Sequence, residues 1–192
     1  VRLFRAPLAA PVLFALAAPL AAAERQGPDL FAGYSFARLG DASRHGANLA
    51  AGFDLFGPVD GFLDASAHWG SAEGTDLDDL TLTAGPGVRF GTRGGTILFV
   101  RALAGILRDR ASISIFDVTV SESRTGFGFM AGGGVDVPVT KTLALRAQGD
   151  YVLWDAGGDE VTCAAIGCPE AGGWESSFRA SAGIVFRFGV PR

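Results

Sequence analysis

The chain is poor in the residues that most chemistries need. Two histidines, two cysteines and one methionine occur in 192 residues, and only 19% of the chain is charged. With a net charge of −4 and no basic run, it lacks the electrostatic footprint of a nucleic-acid binder, and no nucleic-acid partner is expected. Beyond residue 23, no apolar run approaches the roughly 18 residues that a membrane-spanning helix needs. The cysteines, Cys163 and Cys168, have no histidine near them, which argues against a metal site. No cofactor is expected.

Glycine and apolar surface are what the chain has: 28 Gly, 15 Phe and 48% hydrophobic residues. The length suits one domain. At the N-terminus, Arg2 and Arg5 precede an apolar stretch from Ala6 to Leu20, followed by Ala21-Ala22-Ala23. That is the pattern of a secretory signal peptide over residues 1–23, and Pro7, Pro11 and Pro19 make it a poor spanning helix. Cleavage is expected between Ala23 and Glu24, leaving 24–192 as the mature domain. Export favours a Cys163–Cys168 disulfide in a Gly-rich loop, worth about 2 kcal/mol in the chain-entropy model.

The rest of the chain alternates. In the segment from Phe178 to Phe188, apolar side chains fall on Phe178, Ala180, Ala182, Ile184, Phe186 and Phe188, with Arg179, Ser181, Gly183 and Arg187 between them. Successive strand residues point to opposite faces, so one face is greasy and the other charged. The same pattern recurs seven times upstream, for example at Leu143, Leu145, Ala147 and Tyr151 against Arg146, Gln148 and Asp150. Eight strands of about ten residues match the length that crosses a bilayer at a tilt. Tight turns at 57–60, 91–95 and 138–141 alternate with polar segments near 38–46, 70–79, 108–125 and 155–175, which read as long loops. Short turns at one end and long loops at the other belong to an eight-stranded antiparallel up-and-down transmembrane barrel, with both termini on the periplasmic side. Phe62, Leu103 and Met130 fall on the polar face, and Pro86 sits inside a strand where a bulge is one explanation.

In this register the lumen receives Asp54, Asp64, Arg89, Arg101, Asp136, Arg146, Asp150, Arg179 and Arg187. Unpaired charges in so narrow an interior would be very costly, so near-balance implies a paired network and a plugged barrel. The alternative is a soluble lipocalin-like barrel or sandwich, in which the same charges lie on the surface.

Several segments are similar to the OmpA-like outer-membrane β-barrel family: Phe31-Ala32-Gly33-Tyr34-Ser35-Phe36, Gly132-Gly133-Gly134-Val135-Asp136, Leu145 to Tyr151, and Ser181 to Phe188. The last also resembles the β-signal read by the barrel-assembly machinery, at Ser181, Gly183, Phe186 and Phe188, although Gly189-Val190-Pro191-Arg192 follow here. The resemblance covers the barrel part of that family, without its peptidoglycan-binding domain. It implies an outer-membrane location, contact with outer-membrane lipid and lipopolysaccharide, the assembly machinery as a partner during insertion, and an unidentified extracellular ligand at the long loops.

Chemistry is sparse. His68 shares the inward face with Ser66 and Asp64, and a Ser66–His68 pair is the one candidate for a nucleophile beside a base. Its more ordinary role is as one more polar lumen residue, and His45 reads as a loop residue. Glu73, Asp76, Asp78 and Asp79 fit no EF-hand spacing and read as a solvated acidic loop. Arg38, Arg44, Arg108, Arg110 and Arg124 lie in or beside the loops, where lipid phosphates are within reach. Trp69, Tyr151 and Trp174 near the outer strand ends, and Phe90, Phe186 and Phe188 near the inner ends, suggest two interfacial bands. The reading is a non-enzymatic barrel supporting the envelope or adhesion. A lipid-modifying enzyme, a narrow pore or a binder of small apolar ligands remain as alternatives.

Overall fold

A computed structural model describes residues 21–22, 27–39, 42–56, 58–72, 75–92, 95–115, 118–155 and 174–188. Eight long strands make the barrel: β1 Asp29–Leu39, β2 Ala42–Phe56, β3 Val59–Ala72, β4 Thr75–Gly91, β5 Ile97–Ile115, β6 Val118–Pro138, β7 Leu143–Asp155 and β8 Trp174–Arg187. Each pairs antiparallel with its chain neighbours, and β1 closes on β8 from Asp29↔Arg187 to Leu39↔Ser177. Closure leaves no free sheet edge through the barrel wall, which is the condition for a sheet to sit in hydrocarbon.

The stagger is fixed by the register. A path along paired positions from Asp54 runs through Asp60, Gly87, Arg101, Gly132, Asp150, Arg179 and Ala37. It returns to β2 at Arg44, ten residues from its start. Eight strands with this stagger tilt roughly 40° from the barrel axis. Charged residues on the path stand beside glycines, Arg101 between Gly87 and Gly132, which gives long side chains room to cross the lumen.

Strand lengths differ from the sequence expectation. The segments near 38–46, 70–79 and 108–125 are strand rather than long loop: Leu39 pairs with Ala42, Ala72 with Thr75, and Ile115 with Val118. Their alternation is hidden because both faces carry polar residues there: Arg44 pairs with Asp79 and Asp109 inside, while Ser43, Asp76, Asp78 and Arg108 are exposed. At this end β5 and β6 stay paired out to Ile113↔Val120 and Ile115↔Val118. As a result β5 has 19 residues and β6 has 21, and they project as a hairpin well past β7 with its 13.

Pro86 carries no bulge. It faces outward and stays in register opposite Gly61, and β4 keeps one register against β5 on either side of it. The register shift lies instead between Asp54 and Phe56, just before the β2–β3 turn. Phe62, Leu103 and Met130 are interior filler, buried with Phe99, Leu107, Val152 and Trp154 in one apolar cluster inside the barrel. Ala21–Ala22, within the expected signal segment, pair with Gly91 and Phe90 at the rim where β3 has ended.

Candidate functional site

The lumen is lined by the polar face. Of the nine charges expected there, Asp64, Arg89, Arg101, Asp136, Arg146, Asp150, Arg179 and Arg187 are buried inside the barrel. Asp54 is not: it is exposed at the rim, where it pairs with Asp60 just before the register shift toward Phe56. Asp29 and Asp60, at the first turns of β1 and β3, are buried in its stead. Ala23, Glu24, Cys163, Cys168 and Glu73 lie outside the described residues.

The charges form layers. Near the rim that holds the ends of β1 and β8, Arg89 meets Asp29 at 2.7 Å and Asp60 at 3.4 Å. Arg146 bonds Asp136 through Nε (2.6 Å) and Nη2 (2.8 Å) and meets Asp29 at 3.4 Å, and Arg187 lies 3.7 Å from Asp136. Three arginines thus face three aspartates. The Arg146 guanidinium also lies over the rings of Phe99 (4.7 Å) and Phe31 (5.5 Å), so its flat faces are covered by aromatic quadrupoles.

At mid-height sits a square of two arginines and two aspartates. Asp150 accepts from Arg101 (3.0 Å) and Arg179 (2.8 Å), and Asp64 faces the same pair at 3.1 and 2.7 Å. Asn48 donates to Asp64 at 3.0 Å, and Gln148 donates to Asn48 at 2.8 Å. Arg179 further donates to Ser66 Oγ at 2.8 Å. Every carboxylate here is balanced within its own layer, which offsets the several kcal/mol per ion that burial costs.

The outer layer was the least visible in the sequence. Arg44 bonds Asp79 (3.1 Å) and Asp109 (2.7 Å), although Arg44 and Asp79 both read as loop residues. His68 is inside, as its alternation suggested, but its partner is not Ser66. Its Nε2 lies 2.8 Å from Ser35 Oγ and its Nδ1 2.8 Å from Asp79 Oδ1. Register explains the choice: Ser35 pairs with Gly46, Gly46 with His68, and His68 with Asp79, in one row across β1 to β4. A Cβ on Gly46 would stand 2.8 Å from both the Cα and the ring Cδ2 of His68, so the bare glycine lets the imidazole lean across β2. A cavity of about 400 Å³, including the space at its open mouth, adjoins this row and is lined by Ala37, Arg44, His68, Asp79, Leu107 and Arg179 among others. Asp76 and Asp78 are exposed, away from Asp79, and the described residues hold no cluster able to bind a metal.

The outer face is apolar. Leu30, Leu49, Leu82, Val100, Ile106, Leu145 and Ile184 are each half-exposed or more, as are Tyr34, Trp69, Tyr151 and Trp174 toward the outer end, and Phe186 and Phe188 are exposed toward the other. A surface of this kind is covered by lipid, not water. An outer membrane protein β-barrel domain model matches residues 8–186. The chain belongs to that family. It is an outer-membrane protein of the Gram-negative envelope, an antiparallel eight-stranded barrel of the OmpA-like kind. Ail of Yersinia pestis superposes with a TM-score of 0.59 at 17% identity, over 86% of this chain and 100% of Ail. Neisserial surface protein A gives 0.56 at 19% identity, over 84% and 96%. Ail in complex with the heparin analogue sucrose octasulfate gives 0.57 at 18%, over 86% and 100%. At this identity the likeness is one of fold. No curated protein matches the chain in sequence.

The four residues of the final-strand signature divide by face. Ser181 is buried and 2.9 Å from Ser35, Gly183 abuts the Ala32–Gly33 backbone of β1, and Phe186 and Phe188 point outward with their rings 4.9 Å apart.

Proposed function

We propose that this barrel is a plugged, load-carrying element of the outer membrane that presents its extracellular hairpins for adhesion, and that it modifies no lipid. The single observation that supports this is the ion-pair network lying across the lumen. Two neutral layers of arginine and aspartate lie across it, with Phe62, Phe99, Leu103 and Met130 packed among and above them. Such an interior excludes a continuous water column and favours rigidity over transport. Recording in planar bilayers tests the plug: the purified protein gives no stable conductance steps, and steps in the wild type would restore the pore reading. A deletion strain should be more sensitive to detergent and to large antibiotics.

The adhesive half of the proposal rests on the β5–β6 hairpin, where Arg108 and Arg110 are exposed on the projecting part of β5. Ail has been crystallised with a heparin analogue, and an anionic glycan is the ligand class that two such guanidiniums would meet. Within the membrane the partners are lipid and lipopolysaccharide, and during insertion the barrel-assembly machinery reads Ser181, Gly183, Phe186 and Phe188.

A further inference from the structure

We propose that the extracellular ends of β3 to β6 carry, on their outward face, a binding site for a zwitterionic head group, phosphocholine. The register builds it. Trp69 pairs with Asp78, Asp78 with Arg110, and Arg110 with Ser123, in one row across four strands. Residues directly opposite in an antiparallel ladder share a face. His68 and Asp79 point into the lumen, so their chain neighbours Trp69 and Asp78 point out, and all four side chains of the row are exposed. The next positions on the same face repeat the order. Asp76 lies two residues from Asp78 on β4, Arg108 two from Arg110 on β5, and Thr125 stands opposite Arg108. From strand to strand the face is aromatic, acidic, basic and hydroxyl-bearing.

Charges of both signs, one strand apart, suit a ligand that carries both. A polyanion gains the arginines but meets the carboxylates beside them; a zwitterion gains from each. The spacing agrees. Neighbouring strands lie about 4.8 Å apart, and the two-carbon link of phosphocholine holds its ammonium and phosphate apart by about the same amount. The phosphate accepts from the guanidiniums of Arg110 and Arg108 and from the hydroxyls of Ser123 and Thr125. The trimethylammonium has no N–H to donate, so it lies against the Trp69 ring with Asp78 beside it. Among the described residues, Asp78 and Arg110 form no ion pair with each other, which leaves both heads open to a ligand. The site shares Arg108 and Arg110 with the glycan reading and adds the acidic and aromatic strands, which that reading does not use.

The test uses the full chain refolded in a maltoside, a detergent without a phosphocholine head group, with folding checked by heat-modifiable migration. The readout is retention on immobilised phosphocholine and elution by free phosphocholine. Wild type should be retained, and inorganic phosphate at the same concentration should elute it poorly. Trp69→Leu, Asp78→Asn and Arg110→Gln should each weaken binding about 3- to 5-fold, the scale of one exposed cation–π contact. Asp78→Asn separates this site from the glycan reading: it should lose phosphocholine and hold heparin at least as tightly as wild type. Vesicles of phosphatidylcholine, compared with phosphatidylglycerol, locate the source. Cosedimentation with the first alone assigns a lipid, and with neither it assigns a soluble phosphocholine ester; equal cosedimentation with both would overturn the proposal. So would folded wild-type protein that passes through the phosphocholine resin, elution by inorganic phosphate as readily as by phosphocholine, or Asp78→Asn retained as tightly as wild type.

Discussion

Arg179 on β8 reaches past β1 and β2 to place its Nη1 2.7 Å from Asp64 Oδ1 on β3. The bond spans the lumen rather than the sheet, so it ties opposite walls together. It is one side of the mid-height square, in which Arg101 and Asp150 supply the other corners.

Removing one corner should be far worse than removing two. Asp64→Ala leaves Arg101 and Arg179 with one carboxylate in a dry interior and should lower unfolding stability by ~3–5 kcal/mol. The double variant Asp64→Ala with Arg179→Ala removes a charge of each sign and should fall well short of the sum of the singles. Urea unfolding in lipid vesicles, read as a double-mutant cycle, measures the coupling.

The wall has two sides that a probe can tell apart. Spin labels at Leu145 and Arg146 should report opposite surroundings, because Leu145 is exposed to lipid and Arg146 is buried. The label at 145 should relax with dissolved oxygen, and the label at 146 should not. A Leu145→Arg substitution should cost ~2–4 kcal/mol if the site lies near the bilayer midplane, by the depth dependence known for such barrels. Equal aqueous accessibility at both labels would instead indicate a soluble barrel.

Phe186 and Phe188 lie exposed on the outer face with their rings tilted against each other, 4.9 Å apart. Replacing both with Ala should reduce insertion in cells much more than it reduces refolding into detergent, if the assembly machinery reads them. Gly183→Ala is the contrasting case. Its Cβ would meet the β1 backbone at the seam. Refolding without any machinery should then suffer as well, by about 1–3 kcal/mol of overpacking.

Heparin affinity tests the projecting hairpin. Arg108→Ala with Arg110→Ala should elute from a heparin column at lower salt than wild type. The difference should shrink as ionic strength rises, since exposed charges are screened within about 10 Å at 0.1 M salt. Unchanged elution would move the ligand elsewhere.

Much of this was legible in one dimension. Alternation at Phe178 to Phe188 and at Leu143 to Leu153 fixed which side chains face lipid, because the pleat leaves no choice. It also placed Phe62, Leu103 and Met130 inside, against their chemical type. What alternation does not encode is distance across the lumen. Nothing in the local sequence of Asp64 names Arg179 as its partner, and the His68–Ser35 bond depends on a ten-residue stagger and on the missing side chain of Gly46. The exposure of Asp54 was not foreseen because it stands at the rim end of β2, beside the register shift, where a residue in the inward register still meets water. Arg44, Asp79 and Asp109 were hidden for the opposite reason: above the bilayer both faces turn polar, and strand reads as loop.

The stagger has a consequence for biogenesis. Arg179 sits on the last strand, so the aspartate of the third strand gains its second counter-ion only when the seam between first and last strands shuts. A partly formed cylinder would carry a half-compensated charge cluster into oil. Entry into the bilayer and circular closure must then proceed as one event, and a polypeptide released before its eighth strand should stay with chaperones on the aqueous side.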